Sequence, residues 1–258
     1  MILVVDVGNS NICFGVYEDN KLLCVFRLES STSRTEDELA SLIISCLNNY
    51  NINYLNIKGM IIASVILSLN QVFEKLAQTY FKTKPLFVGP SLKSGIAIKI
   101  EQPKTLGADI LVGHVGAKAK YGNNCMIIDI GTATTMTILN NKDEYIGGLV
   151  YPGIKASANA LATETSLLPI IDIEIPKQVI CKETIMAMQA GLMYGYACML
   201  DGMIDKIETE YGHKLKIILT GGLAYMVLEL LNHEVILDEN LVLDGLNILY
   251  HKNKKEHF

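Results

Sequence analysis

The 258-residue sequence has no tryptophan, six prolines, and no stretch in which glycine, proline and serine accumulate. Without such a stretch there is no flexible linker between independent modules. Any junction must therefore run through structured chain, and residues 105–121, which read as a helix, are the candidate. An excess of positive charge is missing too: 22 Lys and Arg stand against 27 Asp and Glu, a net charge of -5. Nucleic-acid binders draw much of their affinity from a basic face laid on phosphates, so no nucleic-acid partner is expected. The one basic cluster, His251-Lys252-Asn253-Lys254-Lys255, reads as a solvated tail. None of the cysteines (Cys13, Cys24, Cys46, Cys125, Cys181, Cys198) forms a C-x-x-C pair, and most sit among apolar neighbours. There a free thiol behaves as a small hydrophobe, which favours a reducing cytoplasm over a disulfide scaffold. The five histidines are scattered and show no metal-ligand spacing. The longest apolar run, residues 60–67, falls far short of the ~20 residues a helix needs to span a bilayer. The N-terminus lacks a basic segment and Asp6 interrupts its apolar run, so no signal peptide and no membrane contact are expected.

Half of the residues are hydrophobic and 19% are charged, enough apolar material for one large core or two ordinary ones. Residues 1–7 form a strand-length apolar run that ends at Asp6 and reads as a buried strand. Two further strands, 12–17 and 22–28, follow across polar turns, so the chain opens as a meander. A helix comes next, with Ser33 and Glu36 matching a capping box. A short strand at 60–64, a helix marked by Val72, Phe73, Leu76, Ala77 and Tyr80, a strand-like 85–88 and a helix from about Thr105 complete the first half. The second half opens in the same way: strands at 125–130, 134–139 and 144–150, a long helix over 182–211, a strand at 214–219 and a further helix. Asp6 aligns with Asp129 and Gly8 with Gly131, each pair 123 residues apart. The expectation is an α/β protein of two duplicated βββαβα domains, 1–118 and 119–258, facing a central cleft.

Four constellations carry chemistry. In Asp6-Val7-Gly8-Asn9-Ser10-Asn11 a carboxylate ends a strand and a glycine turn leads into a hairpin. The glycine allows close backbone approach, and its neighbours offer N–H groups and short polar side chains, suitable for phosphate oxygens and hydrated Mg²⁺. Asp129-Ile130-Gly131-Thr132-Ala133-Thr134-Thr135 repeats the device with hydroxyls. Each alone could be an ordinary hairpin, but two at equivalent places are harder to dismiss. Thr220-Gly221-Gly222 ends a strand before a helix, where N–H groups and the dipole favour anions and where a glycine pair lets a flat group lie on the backbone. A plain strand-to-helix turn is the alternative. Leu106-Gly107-Ala108-Asp109 places a carboxylate at a helix start, either as a cap or first-turn aspartate that satisfies the dipole or as an acceptor for a substrate proton. Gly147-Gly148 and Tyr151-Pro152-Gly153 could shape a wall or merely turn the chain, and His114 could support Asp109 or be structural. Ala187, Gly191 and Gly195, at i, i+4 and i+8, mark an internal packing face or a dimer seam.

Taken in order along nearly the whole chain, these motifs resemble type III pantothenate kinase, a family that includes Bvg accessory factor-like members and belongs to the ribonuclease H-like superfamily of actin, hexokinase and Hsp70. The resemblance implies a cytoplasmic, homodimeric phosphotransferase that uses ATP with Mg²⁺ and a monovalent cation, K⁺ or NH₄⁺, to phosphorylate pantothenate in coenzyme A biosynthesis. It implies that the loop of Asp6, Val7, Gly8, Asn9, Ser10, Asn11, Ile12 and Cys13 binds ATP, with Asp6 near Mg²⁺ through the phosphates. Gly131, Thr132, Gly221 and Gly222 would complete the nucleotide site, and Asp129 would hold the monovalent cation. Asp109 would be the catalytic base, and Gly107, Ala108, Asp109, Ile110 and Thr184 would bind the acceptor, Thr184 from across the dimer.

Two positions depart from the family pattern. Its G-A-D-R has become Gly107-Ala108-Asp109-Ile110, and a tyrosine that commonly precedes this motif corresponds to Ile100. Both lost groups would face the acceptor, so a same-fold kinase for another hydroxyl metabolite stays open. So does a nucleotide-binding regulatory protein without catalysis.

Overall fold

The computed structural model describes residues 1–89 and 91–254. Along them run β1 (Ile2–Val7), β2 (Asn11–Glu18), β3 (Lys21–Glu29), α1 (Glu36–Asn49), β4 (Gly59–Ser64), α2 (Leu67–Tyr80), β5 (Leu86–Phe87), β6 (Ala97–Ile98) and α3 (Ala108–Tyr121). Then come β7 (Cys125–Ile130), β8 (Ala133–Leu139), β9 (Glu144–Pro152), α4 (Ile154–Glu164), α5 (Thr184–Tyr211), β10 (Lys216–Thr220), α6 (Ala224–Leu228), β11 (Ile236–Leu237) and α7 (Leu241–Asn253). Contacts divide the chain into two compact units, one of residues 1–121 with 240–258 and the other of residues 122–239.

The first unit carries a sheet ordered β3-β2-β1-β4-β5. β1 is antiparallel to β2 and parallel to β4, so it is central and paired on both edges. That explains its apolar run, because a central strand covered on both faces has no solvent side to alternate with. Leu3, Val5 and Val7 face a core shared with Leu39, Ile43 and Leu47 of α1 and Phe73 and Leu76 of α2. Phe14 stacks on Phe26 within it, ring centroids 4.8 Å apart.

α1 begins two residues later than the Ser33–Glu36 box predicts. Thr35 is the N-cap: its hydroxyl accepts from Glu38 N at 3.3 Å, while Glu38 Oε2 accepts from Thr35 N at 2.9 Å. This register puts Glu36, Asp37 and Glu38 all in the first turn, where the positive end of the helix dipole favours them.

The division at 118/119 puts the last helix with the second half, whereas the contacts group α7 with the first unit. Side chains show why. Asp244 of α7 accepts from Tyr17 of β2 at 2.6 Å and from Lys120 of α3 at 2.5 Å, and Asn247 donates to the Asp19 carbonyl at 2.9 Å. β2, the β2–β3 turn and α3 of the first unit therefore each hold α7 by a polar contact. The basic cluster read as a tail is mostly structured too. His251, Lys252 and Asn253 form the last turn of α7, with Lys252 donating to Ser94 O at 2.8 Å and Asn253 Oδ1 accepting from Lys93 N at 2.7 Å. Lys255 lies outside the described residues.

In the second unit the strands run β11-β10-β7-β8-β9. β7 is antiparallel to β8 and parallel to β10, so this order matches that of the first unit strand for strand. Asp6 pairs with Cys13 in one hairpin and Asp129 with Thr135 in the other, which is the duplication seen in the sequence. Met126, Ile128 and Ile130 face a core built with Leu192, Met193, Leu200 and Ile204 of the 28-residue α5. Gly212, at φ 85°, ends α5 as a left-handed cap. All six cysteines are free thiols, and no helix of the described residues is long and apolar enough to cross a membrane.

Candidate active site

Parallel α/β sheets gather polar loops at the carboxyl ends of their strands, because there the chain leaves the apolar interior. Asp6 sits at such an end of β1. After it Gly8 N donates to Asn11 O at 3.0 Å and closes the hairpin. The Gly8 N–H is thus engaged, and main-chain donation to a ligand falls to its neighbours. Asn9, Ser10 and Asn11 are exposed, whereas the Val7 and Ile12 side chains lie in the core and can offer only main chain. Cys13 is half-buried on β2. Sequence reasoning missed Ser30. Its hydroxyl donates to Gly8 O at 2.5 Å and its N–H to Ser10 O at 3.0 Å, so the end of β3 pins the loop from behind. Its position just past the third strand of the meander was the available signal.

The second loop is held in a similar way. Gly131 N donates to Ala133 O at 3.1 Å, and Gly153 N to Thr132 O at 3.1 Å. Gly153 packs so closely on the Gly131 and Thr132 carbonyls that no Cβ would fit, which gives the Tyr151-Pro152-Gly153 turn a purpose the sequence left open. Behind the loop the buried Tyr196 of α5 donates to Thr134 Oγ1, with Pro152 O 3.3 Å away, and burial raises its phenol above the ordinary value. Tyr196 was also missed, since a tyrosine inside a long apolar helix pattern reads as core.

Thr220 lies opposite Asp129 in the parallel β7–β10 register. The next residue, Gly221, has φ +101°, and a Cβ there would stand 2.5 Å from Ile130 O and 2.6 Å from Asp129 Oδ1. Only glycine allows this approach, so Asp129, Ile130, Gly131 and Gly221 meet at one point of the second unit. The helix that follows, α6, has five residues, Ala224–Leu228. It is too short for the dipole reading of Thr220-Gly221-Gly222, which leaves a flat group lying on the backbone and a plain strand-to-helix turn.

Asp109 is a first-turn aspartate and not the N-cap. It is the second residue of α3, half-buried, with Oδ1 accepting from Ile110 N at 2.9 Å and lying against Gly107. Ala108 opens the helix and Gly107 O accepts from Leu111 N at 3.2 Å. The helix expected from Thr105 starts later because Pro103–Thr105 forms a 3₁₀ turn instead. His114, one turn beyond Asp109, is fully buried, and burial pushes its imidazole down to about 3. Thr184 is the exposed first residue of α5. Ala187, Gly191 and Gly195 are exposed along the same helix with open space beyond each glycine, so among the described residues the stripe packs against nothing.

The family model described as type III pantothenate kinase matches residues 2–206. The chain is also 41% identical over 253 residues to the type III pantothenate kinase of Bacillus cytotoxicus, covering 98% of this chain and 97% of that one. The chain belongs to the type III pantothenate kinase family. Solved structures share its fold at low identity. A Campylobacter jejuni protein assigned to the Baf family of transcriptional activators superposes with TM-score 0.62 at 18% identity, covering 98% of both chains. The activator of 2-hydroxyisocaproyl-CoA dehydratase from Clostridium difficile, solved with bound ADPNP, gives TM-score 0.55 at 13% identity over 96% of this chain and 93% of that one. The α/β architecture of this pantothenate kinase family member is thus shared with both of these proteins.

Proposed function

We propose that this protein transfers the γ-phosphoryl group of ATP to the hydroxyl of pantothenate, forming 4'-phosphopantothenate. The observation that carries the reading is the 41% identity, across 98% of the chain, to a curated type III pantothenate kinase. Residue roles follow the motifs. The loop of Asp6 to Cys13 holds phosphates, with Asp6 turned to Mg²⁺. Gly131, Thr132, Gly221 and Gly222 take the rest of the nucleotide. The fit is supported by the close backbone approach at Gly221, which leaves no side chain to block a flat ligand, and by half-exposed carboxylates at two equivalent strand ends. Mg²⁺, when bound, neutralises charge on the phosphate oxygens.

Asp109 orients the acceptor hydroxyl and takes its proton as the oxygen bonds to phosphorus and the bond to ADP breaks. Little covalent work is left to the protein in phosphoryl transfer; positioning and charge stabilisation do most of it. A monovalent cation at Asp129 belongs to the same proposal, as does a homodimer in which Thr184 reaches the neighbouring acceptor. The dimer is supported by the open stripe of Ala187, Gly191 and Gly195, and by Leu167, Ile170 and Ile180, which are 91%, 84% and 86% exposed in the same unit.

Ile110 and Ile100 favour a second reading, a same-fold kinase with another hydroxyl acceptor. An isoleucine cannot hold a carboxylate, and the sequence has two arginines, Arg27 and Arg34, both before α1. The test is mass-spectrometric detection of phosphopantothenate after incubation with Mg-ATP, K⁺ and pantothenate. Product supports the first reading. Its absence, with a different hydroxyl acid phosphorylated in the same assay, supports the second.

A further inference from the structure

We propose that His233, Asp205 and Glu208 form a binding site for a first-row transition-metal dication, which fastens the C-terminal half of α5 to the segment that follows α6. One ligand atom from each of the three lies within 4.8 Å of the others. Asp201, Asp205 and Glu208 are spaced i, i+4 and i+7 on α5, so they rise along one face. His233 comes from outside that helix to meet them, which is why the scattered histidines of the sequence gave no sign of it.

The orientation of the imidazole is fixed from behind. Asp201 accepts from Asn232 N at 3.0 Å, from Asn232 Nδ2 at 2.7 Å and from His233 Nδ1 at 2.8 Å. The opposite nitrogen, Nε2, faces Asp205 Oδ1 at 3.1 Å with Glu208 close by. Asp201 and Asp205 each face a ring nitrogen, so either nitrogen can carry a proton, and a dication at Nε2 takes the place of the one there. A carboxylate behind one imidazole nitrogen with oxygen ligands around the other is the arrangement metal-binding histidines commonly use.

Charge points the same way. Three carboxylates gather here, and Glu208 is paired with Lys214, whose side chain is 80% exposed and free to swing into water. Imidazole with two carboxylates suits zinc, cobalt or manganese better than Mg²⁺ or Ca²⁺, which prefer oxygen throughout. The site uses none of the residues assigned to ATP or the acceptor, so it stands or falls apart from the kinase reading.

The probe is Co²⁺ alone, titrated into chelator-treated full-length protein without nucleotide and followed by calorimetry and visible absorption. One saturable equivalent is expected, with ligand-field bands of nitrogen and oxygen ligation and no sulfur-to-cobalt charge transfer. Asp205→Asn changes an exposed carboxylate and keeps the fold, and should weaken binding about tenfold or more. His233→Gln should remove binding, with its melting curve checked beside the wild type. The proposal is overturned by no saturable equivalent, by a thiolate band, or by Asp205→Asn binding Co²⁺ as tightly as the wild type.

Discussion

Replacing Gly221 by alanine should separate the geometry of the second loop from the mere presence of a glycine pair. At φ +101° an L-residue is strained, by about 1–3 kcal/mol. The new Cβ would also stand 2.5 Å from Ile130 O and 2.6 Å from Asp129 Oδ1, where ordinary contact begins at 3.4 Å. The Ile130 oxygen is backbone on a central strand and cannot turn aside, so the β10–α6 loop must move away from Asp129 by most of an ångström. A destabilisation of about 2–3 kcal/mol follows, which for a chain of this size lowers Tm by about 4–12 °C. The control is next door: a Cβ on Gly222 meets nothing within 4 Å, and its backbone is not in the left-handed region. Gly222→Ala should therefore leave Tm within about 1–2 °C of wild type, as substitutions away from strain usually do. Thermal denaturation and calorimetric ATP titration of both variants make the comparison. Gly221→Ala should also lose ATP affinity about tenfold or more. Equal stabilities for the two variants, or unchanged ATP affinity in Gly221→Ala, would refute the reasoning.

Thr35→Ala should cost about 1 kcal/mol in urea unfolding while Ser33→Ala costs almost nothing, because the capping box is closed by Thr35 and Glu38; equal costs would return the helix start to Ser33. His114 titrates at about 3 in the fold and at about 6.5 when unfolded. Between those values the unfolded chain binds the extra proton, so this contribution is complete above pH 6.5 and is lost as pH falls, by about 2 kcal/mol between pH 7 and 5. His114→Gln should flatten that part of the pH–stability curve, and an unchanged curve would count against burial as the cause. If Asp129 holds a monovalent cation, exchanging K⁺ for Na⁺ should weaken ATP binding or turnover in the wild type, and Asp129→Asn should abolish the difference. Wild-type behaviour independent of the salt would remove that role.

The duplicated architecture was legible because its signals are local and repeated. Apolar strands at 1–7 and 125–130, each ending in Asp-x-Gly, can be read without knowing what they touch. What escaped were features decided by tertiary contact. α7 was not separated from the helix before it, since its buried residues, among them Leu243, Leu246, Asn247 and Tyr250, lie on more than one face and blur the helical stripe. α4 was missed because only Ile154 and Ala158 of its eleven residues are buried. The capping register at α1 was misplaced because Ser33–Glu36 overlaps a second S/T-x-x-E match, Thr35–Glu38, and the two differ in how many acids fall in the first turn. At the candidate site the glycines and aspartates were visible as types. The support from Ser30, Gly153 and Tyr196 depends on neighbours distant in sequence, and so does the gathering of His233 with the α5 carboxylates.

The claim that this chain is a working pantothenate kinase with Asp109 as its base is tested most directly by ADP release measured with and without pantothenate, for the wild type and for Asp109→Asn. The account predicts release that depends on pantothenate and falls about 10²–10⁴-fold in the variant, with ATP binding retained. Release that ignores pantothenate, or a variant as fast as the wild type, would contradict it.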